Sequence, residues 1–216
     1  MKLCNQLWQH SEEIIKHHLN HPFSRHLAKG TLDHDIFRFY LQQDAIYILK
    51  YAEAMDLLAH KAPTSELKDE FLHLSQESYE LEHIFQAQLF KDYQVQPSET
   101  MQPACLAYTS HLLATIANND FVIGLTSLLP CFWVYLENGR NIAKHSVTNN
   151  PYQSWIDTYL SEEFEQQTEM VKHYIELYGK DASEETKRMM FEVFNYSCRL
   201  DYLFMDYAYK QVIWDK

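Results

Sequence analysis

Apolar residues recur along most of the chain at spacings of three and four, which is the pattern of amphipathic helices. Proline, glycine, asparagine and serine interrupt this pattern and divide the sequence into about seven predicted helices. Their approximate ranges are 5–20, 34–61, 65–92, 104–117, 120–145, 151–178 and 184–212. Asp33 and Ser183 are predicted to cap two of these helices, and Gly30 is predicted to follow a helix or turn. The pattern therefore predicts an all-α chain, a compact multi-helix bundle with a single domain over residues 1–216.

Composition supports the helical interpretation. The 216-residue chain contains 4 glycines, whereas average usage of about 7% would give roughly four times as many. Sheets and tight turns need glycine more than helices do, so this scarcity favours helices. The 15 tyrosines, 12 phenylalanines and 4 tryptophans predict an unusually aromatic interior. Hydrophobic residues make up 46% and charged residues 22%, which excludes disordered and fibrous classes.

The charge balance and the apolar segments bear on partners and location. There are 18 basic and 30 acidic residues, a net charge of −12, which would repel a phosphate backbone. The N-terminal segment MKLCNQLWQHSEEIIKHH is polar and charged, unlike a signal peptide. The charge-free run Phe121–Leu136 is short for a membrane span and is typical of a buried helix. We therefore expect a cytoplasmic protein that binds neither nucleic acid nor membranes.

The four cysteines are widely spaced and form no CxxC pair, which predicts free thiols and argues against a zinc site. Cys131 directly follows Pro130 inside an apolar predicted helix, and Tyr135 stands one turn further on. A lone cysteine in such a helix is usually an inert core residue. A catalytic thiol needs a stabilised thiolate or an acid–base partner, which spacing alone does not reveal.

Two carboxylates fall on apolar helical tracks. Asp44 lies one turn before Tyr47 in the second predicted helix, and Asp201 lies three residues after Cys198 in the last. A buried carboxylate is costly unless it is paired or hydrogen-bonded. Each is therefore either a structural residue with a tyrosine or amide partner, or a carboxylate directed into a pocket. Two further tyrosines on apolar tracks, usually packing residues, are Tyr108 and Tyr159.

Histidine is abundant, at 12 residues, so a metal site has to be considered. A di-iron bundle needs two Glu-x-x-His pairs on separate helices, and the sequence has one, Glu80 with His83. The other histidines mostly lie at helix ends or among charges and are predicted to be solvated: His17, His18, His60, His145 and His173. A metal- or haem-dependent oxidase is accordingly kept as an alternative function, and no metal site is predicted.

Several segments, in order along nearly the whole chain, carry a resemblance to a known family. They are HPFSRHLAKGTL (21–32), FRFYLQQDAIYI (37–48), YTSHL (108–112), LLPCFWVYLENG (128–139), NPYQSWIDTY (150–159) and DYLFMDYAY (201–209). The chain resembles the TenA family, the thiaminase II or aminopyrimidine aminohydrolase proteins of thiamin salvage. The segment around LLPCFWVY is the most specific.

The resemblance implies a fold, an activity and an assembly. It implies the haem-oxygenase-like all-α fold and a homotetramer. The implied reaction is deamination of 4-amino-5-aminomethyl-2-methylpyrimidine to the 5-hydroxymethyl pyrimidine with release of ammonia, and many members also cleave thiamin. The resemblance implies no metal and no organic cofactor, and a partner that is a small aminopyrimidine or thiamin itself.

The resemblance also assigns roles to residues. Cys131 matches the nucleophile that attacks the pyrimidine ring, and Asp44 matches the carboxylate that binds the ring nitrogen and exocyclic amine. The matching tyrosines are Tyr47 and Tyr135 near the thiol, and Tyr108 and Tyr159 along the ring pocket. Paired hydrogen bonds from a carboxylate and stacking by tyrosines suit a flat aminopyrimidine.

One position departs from the family pattern. Asp201 stands where the family has a catalytic glutamate, and the flanking match leaves little room to shift the alignment. Aspartate is shorter by one methylene, roughly 1.5 Å, and a misplacement of about 1 Å can cost on the order of 100-fold in rate. Asp201 is predicted to be the catalytic acid–base residue, with the backbone or a water closing the gap or with weaker proton transfer. The alternatives are that Glu137 acts in its place, or that the chain binds the pyrimidine without turning it over.

Overall fold

The computed structural model describes residues 1–214, with side chains described at 1–76, 79 and 87–214. Across these residues the backbone forms α-helices joined by short connections, and no strand occurs in the described part of the chain. The predicted all-α class is confirmed. The helices are α1 Leu3–His10, α2 Glu12–Leu19, α3 Pro22–Ala28, α4 His34–Ala59, α5 Ser65–Asp92, α6 Pro103–Asn118, α7 Phe121–Lys144, α8 Gln153–Thr158, α9 Glu162–Gly179 and α10 Glu184–Tyr209.

The long helices agree with the sequence pattern. The ends of α4, α5, α6, α7 and α10 lie within three residues of their predicted positions. The Asp33 carboxylate accepts a hydrogen bond from the Asp35 main-chain N–H at 2.7 Å, and Ser183 Oγ accepts one from Thr186 at 3.1 Å. Both predicted caps are therefore confirmed. Gly30 follows α3 with φ of +64°, a conformation that favours glycine.

The prediction of one helix over residues 5–20 is wrong, because α1 and α2 are separate helices that meet at Ser11. Ser11 has φ of −105° and ψ of 10°, outside the helical range. Its buried hydroxyl accepts a hydrogen bond from Asn195 Nδ2 at 3.0 Å. The break is thus accompanied by a contact with a residue 184 positions away, which local periodicity cannot reveal.

Two other segments also differ from the prediction. The stretch between the first two predicted helices, where no helix was predicted, contains α3. Its start is capped by His21 Nδ1, which accepts a hydrogen bond from the Phe23 main-chain N–H at 3.1 Å. The predicted helix over 151–178 is divided into α8 and α9. Ser161 caps α9 by accepting from Phe164 at 3.2 Å, so a new helix start interrupts the periodic pattern.

The chain divides into two compact units, of which the first comprises Met1–Leu32 and Leu125–Leu203. Within it α1 packs against α9. The Glu176 carboxylate of α9 accepts hydrogen bonds from the main-chain N–H groups of Leu3 and Cys4 at 3.0 and 2.8 Å. These bonds satisfy donors that a helix start leaves without an internal partner.

The second unit comprises Asp33–Gly124 and the end of the chain from Phe204. Within it α4 packs against both α5 and α6. The Gln43 side chain of α4 accepts from the Gln102 main-chain N–H at 2.7 Å and donates to the Thr100 carbonyl at 3.0 Å. This amide therefore joins α4 to the segment that leads into α6. The single domain expected over the whole chain stays a prediction.

Helix α7 is long and apolar enough to cross a membrane, by length and composition alone, but 83% of its apolar window is buried inside the protein. The core helix of a soluble protein passes the same test. The burial agrees with the interpretation of Phe121–Leu136 as a buried helix.

Candidate active site

The four cysteines differ in accessibility. All are free, as predicted, and Cys131 is half-buried whereas the other three are buried. Burial, helped by the Asp44 charge, raises the pKa of the Cys105 thiol to about 12. Burial is also the main cause that raises the pKa of the Cys4 and Cys198 thiols above the ordinary range. Cys131 is therefore the thiol most open to a reagent or substrate.

Helix α7 positions this thiol. Pro130 lies inside the helix, directly before Cys131. Because proline has no main-chain N–H, it removes the donor that would otherwise reach the Thr126 carbonyl. Tyr135 follows Cys131 by one turn on the same side of the helix. The sequence thus places a thiol and a phenol together next to an interruption of the helical hydrogen bonds.

Aromatic rings surround Tyr135 and Tyr159. The centroids of these two rings are 5.2 Å apart, and the His18 ring meets Tyr135 edge-on at 5.7 Å. Trp155 packs on Tyr159 at 4.6 Å. A Cβ on Gly139 would lie 3.0 Å from the Tyr159 Cβ, so the glycine allows this close approach. Both tyrosines are buried, and their rings are held by neighbours on more than one side.

Asp201 is buried in α10, with 1% of its surface exposed. Its charge contributes, after burial, to the raised pKa of Cys198. Glu137, the alternative carboxylate, pairs with Arg140 at 2.8 Å, and Arg140 also pairs with Glu165 at 2.6 Å. Glu137 therefore belongs to a partly exposed ion-pair network, and Asp201 is the buried carboxylate of the two.

Asp44 is buried in α4, with 8% exposed, and accepts a hydrogen bond from the Tyr40 hydroxyl at 3.4 Å. This contact is the tyrosine partner that the structural interpretation expected. The Tyr47 ring packs against Tyr108 at 5.1 Å and against Phe204 at 5.5 Å. The carboxylate consequently lies on a helix whose next turn presents a tyrosine ring packed against two other aromatic rings.

The structure distributes the predicted site residues over both units. The first unit contains what we call the Cys131 group, which consists of Cys131, Tyr135, Tyr159 and Asp201. The second unit contains the Asp44 group, which consists of Asp44, Tyr47 and Tyr108. Ring contacts join Tyr135 to Tyr159 in the first group and Tyr47 to Tyr108 in the second.

The sequence interpretation missed the neighbours of these groups and placed His18 wrongly. His18 was expected to be solvated, but it is 1% exposed, and burial, followed by the nearby His21, lowers its pKa to about 3. Its spacing of three residues from buried Ile15 was an available signal. Phe204 and Trp155 carried no signal beyond their aromatic character.

No three histidine, cysteine, aspartate or glutamate side chains group as metal ligands within the described part of the chain. The Glu80–His83 pair lies outside the described side chains.

The model of the TENA/THI-4/PQQC family matches residues 8–211. The chain therefore belongs to this family, as the ordered segments had suggested.

Curated relatives include separate enzymes and parts of larger proteins. The chain is 28% identical to an aminopyrimidine aminohydrolase of Bacillus subtilis, with 90% of this chain and 84% of that protein covered. It is 29% identical to a multifunctional thiamine biosynthesis protein of Corynebacterium efficiens, with 95% of this chain covered. The chain spans 28% of the length of that larger protein.

Solved structures support the fold. A TenA homologue from Pyrococcus furiosus matches with a TM-score of 0.90 at 21% identity, covering 95% of this chain and 99% of that one. A Shewanella denitrificans domain with a heme oxygenase-like fold matches with a TM-score of 0.71 at 16% identity, covering 97% and 91%. The expected haem-oxygenase-like fold is confirmed.

Proposed function

We propose that the chain is an aminopyrimidine aminohydrolase of the thiaminase II type. It converts 4-amino-5-aminomethyl-2-methylpyrimidine to the 5-hydroxymethyl pyrimidine and releases ammonia, with thiamin hydrolysis as a second activity. Relatives named aminopyrimidine aminohydrolase support this reaction. The chain uses no metal or organic cofactor in this proposal.

The observation that carries the proposed mechanism is the accessibility of Cys131. Three of the four thiols are buried with raised pKa values, whereas Cys131 is half-buried in the segment LLPCFWVY that resembles the family most specifically. A nucleophilic thiol has to reach its substrate, which a thiol enclosed in the core cannot do. We therefore assign Cys131 the role of nucleophile.

In the proposed reaction the Cys131 thiolate adds to the pyrimidine ring and forms a C–S bond, while a ring nitrogen accepts a proton. The C–N bond of the 5-aminomethyl group then breaks, its amine leaves as ammonia after accepting a proton, and the methylene carbon is left double-bonded to the ring. Water adds at the freed carbon, and departure of the thiolate restores the ring. One water is consumed and one ammonia is released, with no change in oxidation state.

The other residues have roles in binding and proton transfer. We propose that Asp44 holds the ring nitrogen and exocyclic amine through paired hydrogen bonds and that Asp201 transfers protons. The rings that pack beside the flat substrate are those of Tyr108 and Tyr159. The family resemblance assigns Tyr47 and Tyr135 roles in the catalytic step.

The direct test is ammonia release by metal-free purified protein from 4-amino-5-aminomethyl-2-methylpyrimidine, with thiamin as the parallel substrate. We expect turnover of both, measured as ammonia released from the aminopyrimidine and as thiazole released from thiamin, and faster for the aminopyrimidine. Thiamin cleavage without deamination would reverse the proposed preference, and an absence of turnover with both substrates would contradict the function.

A second candidate, a pyrimidine-binding protein without turnover, is motivated by Asp201 in place of the family glutamate. It predicts saturable binding of the aminopyrimidine, measured by calorimetry, with no ammonia released. Turnover by the same preparation would exclude this candidate.

We further propose a homotetramer in the cytoplasm. The tetramer is supported by the family resemblance and the location by four free cysteines, which are typical of a reducing compartment. Light scattering coupled to size-exclusion chromatography measures the assembly, and fractionation of native cells measures the location.

A further inference from the structure

His18 and Asn138 are among the fully buried polar side chains of the first unit. His18 is 1% exposed and Asn138 is 0% exposed. Both His18 ring nitrogens, and both the amide nitrogen and oxygen of Asn138, lack a hydrogen-bond partner among the described residues. Because buried polar groups nearly always have a partner, four such atoms in one unit call for an occupant that satisfies them.

The two side chains belong to one interface, between α2 and α7. The Tyr135 ring of α7 meets the His18 ring at 5.7 Å, with 71° between their planes. Two turns along α7, Asn141 Nδ2 donates to the Leu19 main-chain carbonyl at 2.9 Å. Asn138 lies three residues from each of these contact residues, so it shares their side of α7 and faces the end of α2.

The donors and acceptors at this interface define the chemistry of the occupant. His18 is neutral, because burial holds its pKa at about 3, and a neutral imidazole has one N–H donor and one acceptor. The Asn138 amide also offers both kinds of group. The occupant must therefore donate and accept, and it must be small. A lone ion without a countercharge would be too costly in so buried a place, whereas water meets each requirement.

We propose that His18 and Asn138 bind an internal water molecule between α2 and α7, directly behind Tyr135, and that this site holds the Tyr135 ring in place. Tyr159 packs against the same ring at 5.2 Å. His18 is thus a positioning residue that acts through Tyr135. The role of His18 in positioning Tyr135 rests on the proposed function, whereas the water site does not.

The first test is a high-resolution crystal structure of the full chain. We expect an ordered water about 2.7–3.2 Å from one His18 nitrogen and from one polar atom of Asn138. A direct hydrogen bond between His18 and Asn138, or a separate protein partner for each, would overturn the water site.

The second test compares the unfolding of His18→Phe, Asn138→Leu and the double variant, with His17→Phe as the control. His17 precedes His18 on the same helix and is exposed. Each single substitution leaves the polar atoms of the remaining side chain without the hydrogen bonds that the water supplies. The folding equilibrium constant should therefore fall roughly 5- to 150-fold. The double variant removes both polar side chains. Its folding equilibrium constant should therefore fall by less than the product of the factors measured for the two single variants. Strictly multiplicative losses would contradict a shared site, and if a single variant fails to fold, the crystal structure decides.

The third test addresses positioning and uses ammonia release. His18→Phe keeps a ring against Tyr135 but loses the water, so we expect kcat to fall by up to about 100-fold while KM stays unchanged. His18→Gln, which keeps a donor and an acceptor, should recover part of kcat. A rise in KM alone, or unchanged kcat in His18→Phe, would refute positioning. If the wild type releases no ammonia, the proposed function fails, and the crystal and unfolding results still decide the water site.

Discussion

The Cys131 group and the Asp44 group are built differently. The carboxylate of Asp44 is buried and accepts a hydrogen bond from the Tyr40 hydroxyl. Gln43, directly before Asp44 in α4, forms hydrogen bonds with two main-chain groups. The Cys131 group instead combines a half-buried thiol with clustered rings, and its neighbour His18 has buried nitrogens without a hydrogen-bond partner among the described residues.

This difference suggests that the Asp44 group binds the substrate and that the Cys131 group carries out the chemical step. Side chains held by hydrogen bonds present a fixed pattern of acceptors, which suits recognition of an aminopyrimidine edge. An accessible thiol beside a phenol suits bond making and breaking. We therefore expect substitutions in the Cys131 group to lower kcat and substitutions in the Asp44 group mainly to raise KM.

The largest effect is expected for Cys131→Ser, which should lower kcat roughly 10³-fold or more because the covalent step is lost. Ammonia release measures it. Cys4→Ser, at a buried thiol of α1, is the control and should keep the activity. Full activity in Cys131→Ser would remove the basis for assigning reactivity to the Cys131 group.

Iodoacetamide labelling of the same proteins adds a chemical readout. The native chain should be alkylated once, at Cys131, and four times after unfolding, because the other thiols are buried with raised pKa values. Rapid labelling of Cys105 or Cys198 in the native chain would contradict the accessibility difference.

Asp201→Asn is expected to lower kcat by about 10²- to 10⁴-fold, the range typical of a lost proton-transfer group. The matched control is Asp206→Asn, a buried aspartate of the same helix that pairs with Lys210. A KM effect alone would move Asp201 from proton transfer to binding.

Asp201→Glu restores the family residue and tests whether the length of this side chain limits proton transfer. We expect a gain in kcat together with a loss in stability of about 1–3 kcal/mol, because the site is closed around the shorter side chain. Thermal unfolding and ammonia release on one preparation measure both, and a loss of kcat would show that the site has adapted to aspartate.

Asp44→Asn should raise KM and lower kcat/KM by roughly 10- to 150-fold, since a hydrogen bond to a charged group contributes about 1.5–3 kcal/mol. Asp56→Asn, at an exposed position of the same helix, is the control. Isothermal titration with the product pyrimidine separates binding from turnover. If kcat falls while KM is constant, the division between the two groups is wrong.

The smallest effect is on stability and depends on pH. His18 has a pKa of about 3 in the folded chain and about 6.5 when unfolded, so between these values the unfolded chain binds a proton that the folded chain does not. Stability therefore falls as the pH drops, by about 2 kcal/mol between pH 6.5 and 5. Urea unfolding should show this slope reduced in His18→Phe and retained in His17→Phe. An equal slope in both variants would mean that His18 does not titrate in this way.

The sequence predicted the long helices well because their signals are local. Periodicity and the caps at Asp33 and Ser183 depend on residues within a few positions of one another. The same periodicity identified Asp44 and Asp201 as buried carboxylates. It failed at Ser11, where the helix stops beside a contact with Asn195. His18 was predicted to be solvated although it lies three residues from buried Ile15, and its ring meets Tyr135 of α7.

The sequence by itself determined the all-α class, the family and the helical faces on which the candidate site residues lie. Helical periodicity and motif spacing depend only on residues that are close together in the sequence. Only the tertiary structure decided which of four thiols is accessible, that Glu137 belongs to a partly exposed ion-pair network and that His18 and Asn138 face one interface. Accessibility, pKa and hydrogen bonding depend on side chains that are distant in sequence and become neighbours only when the helices pack.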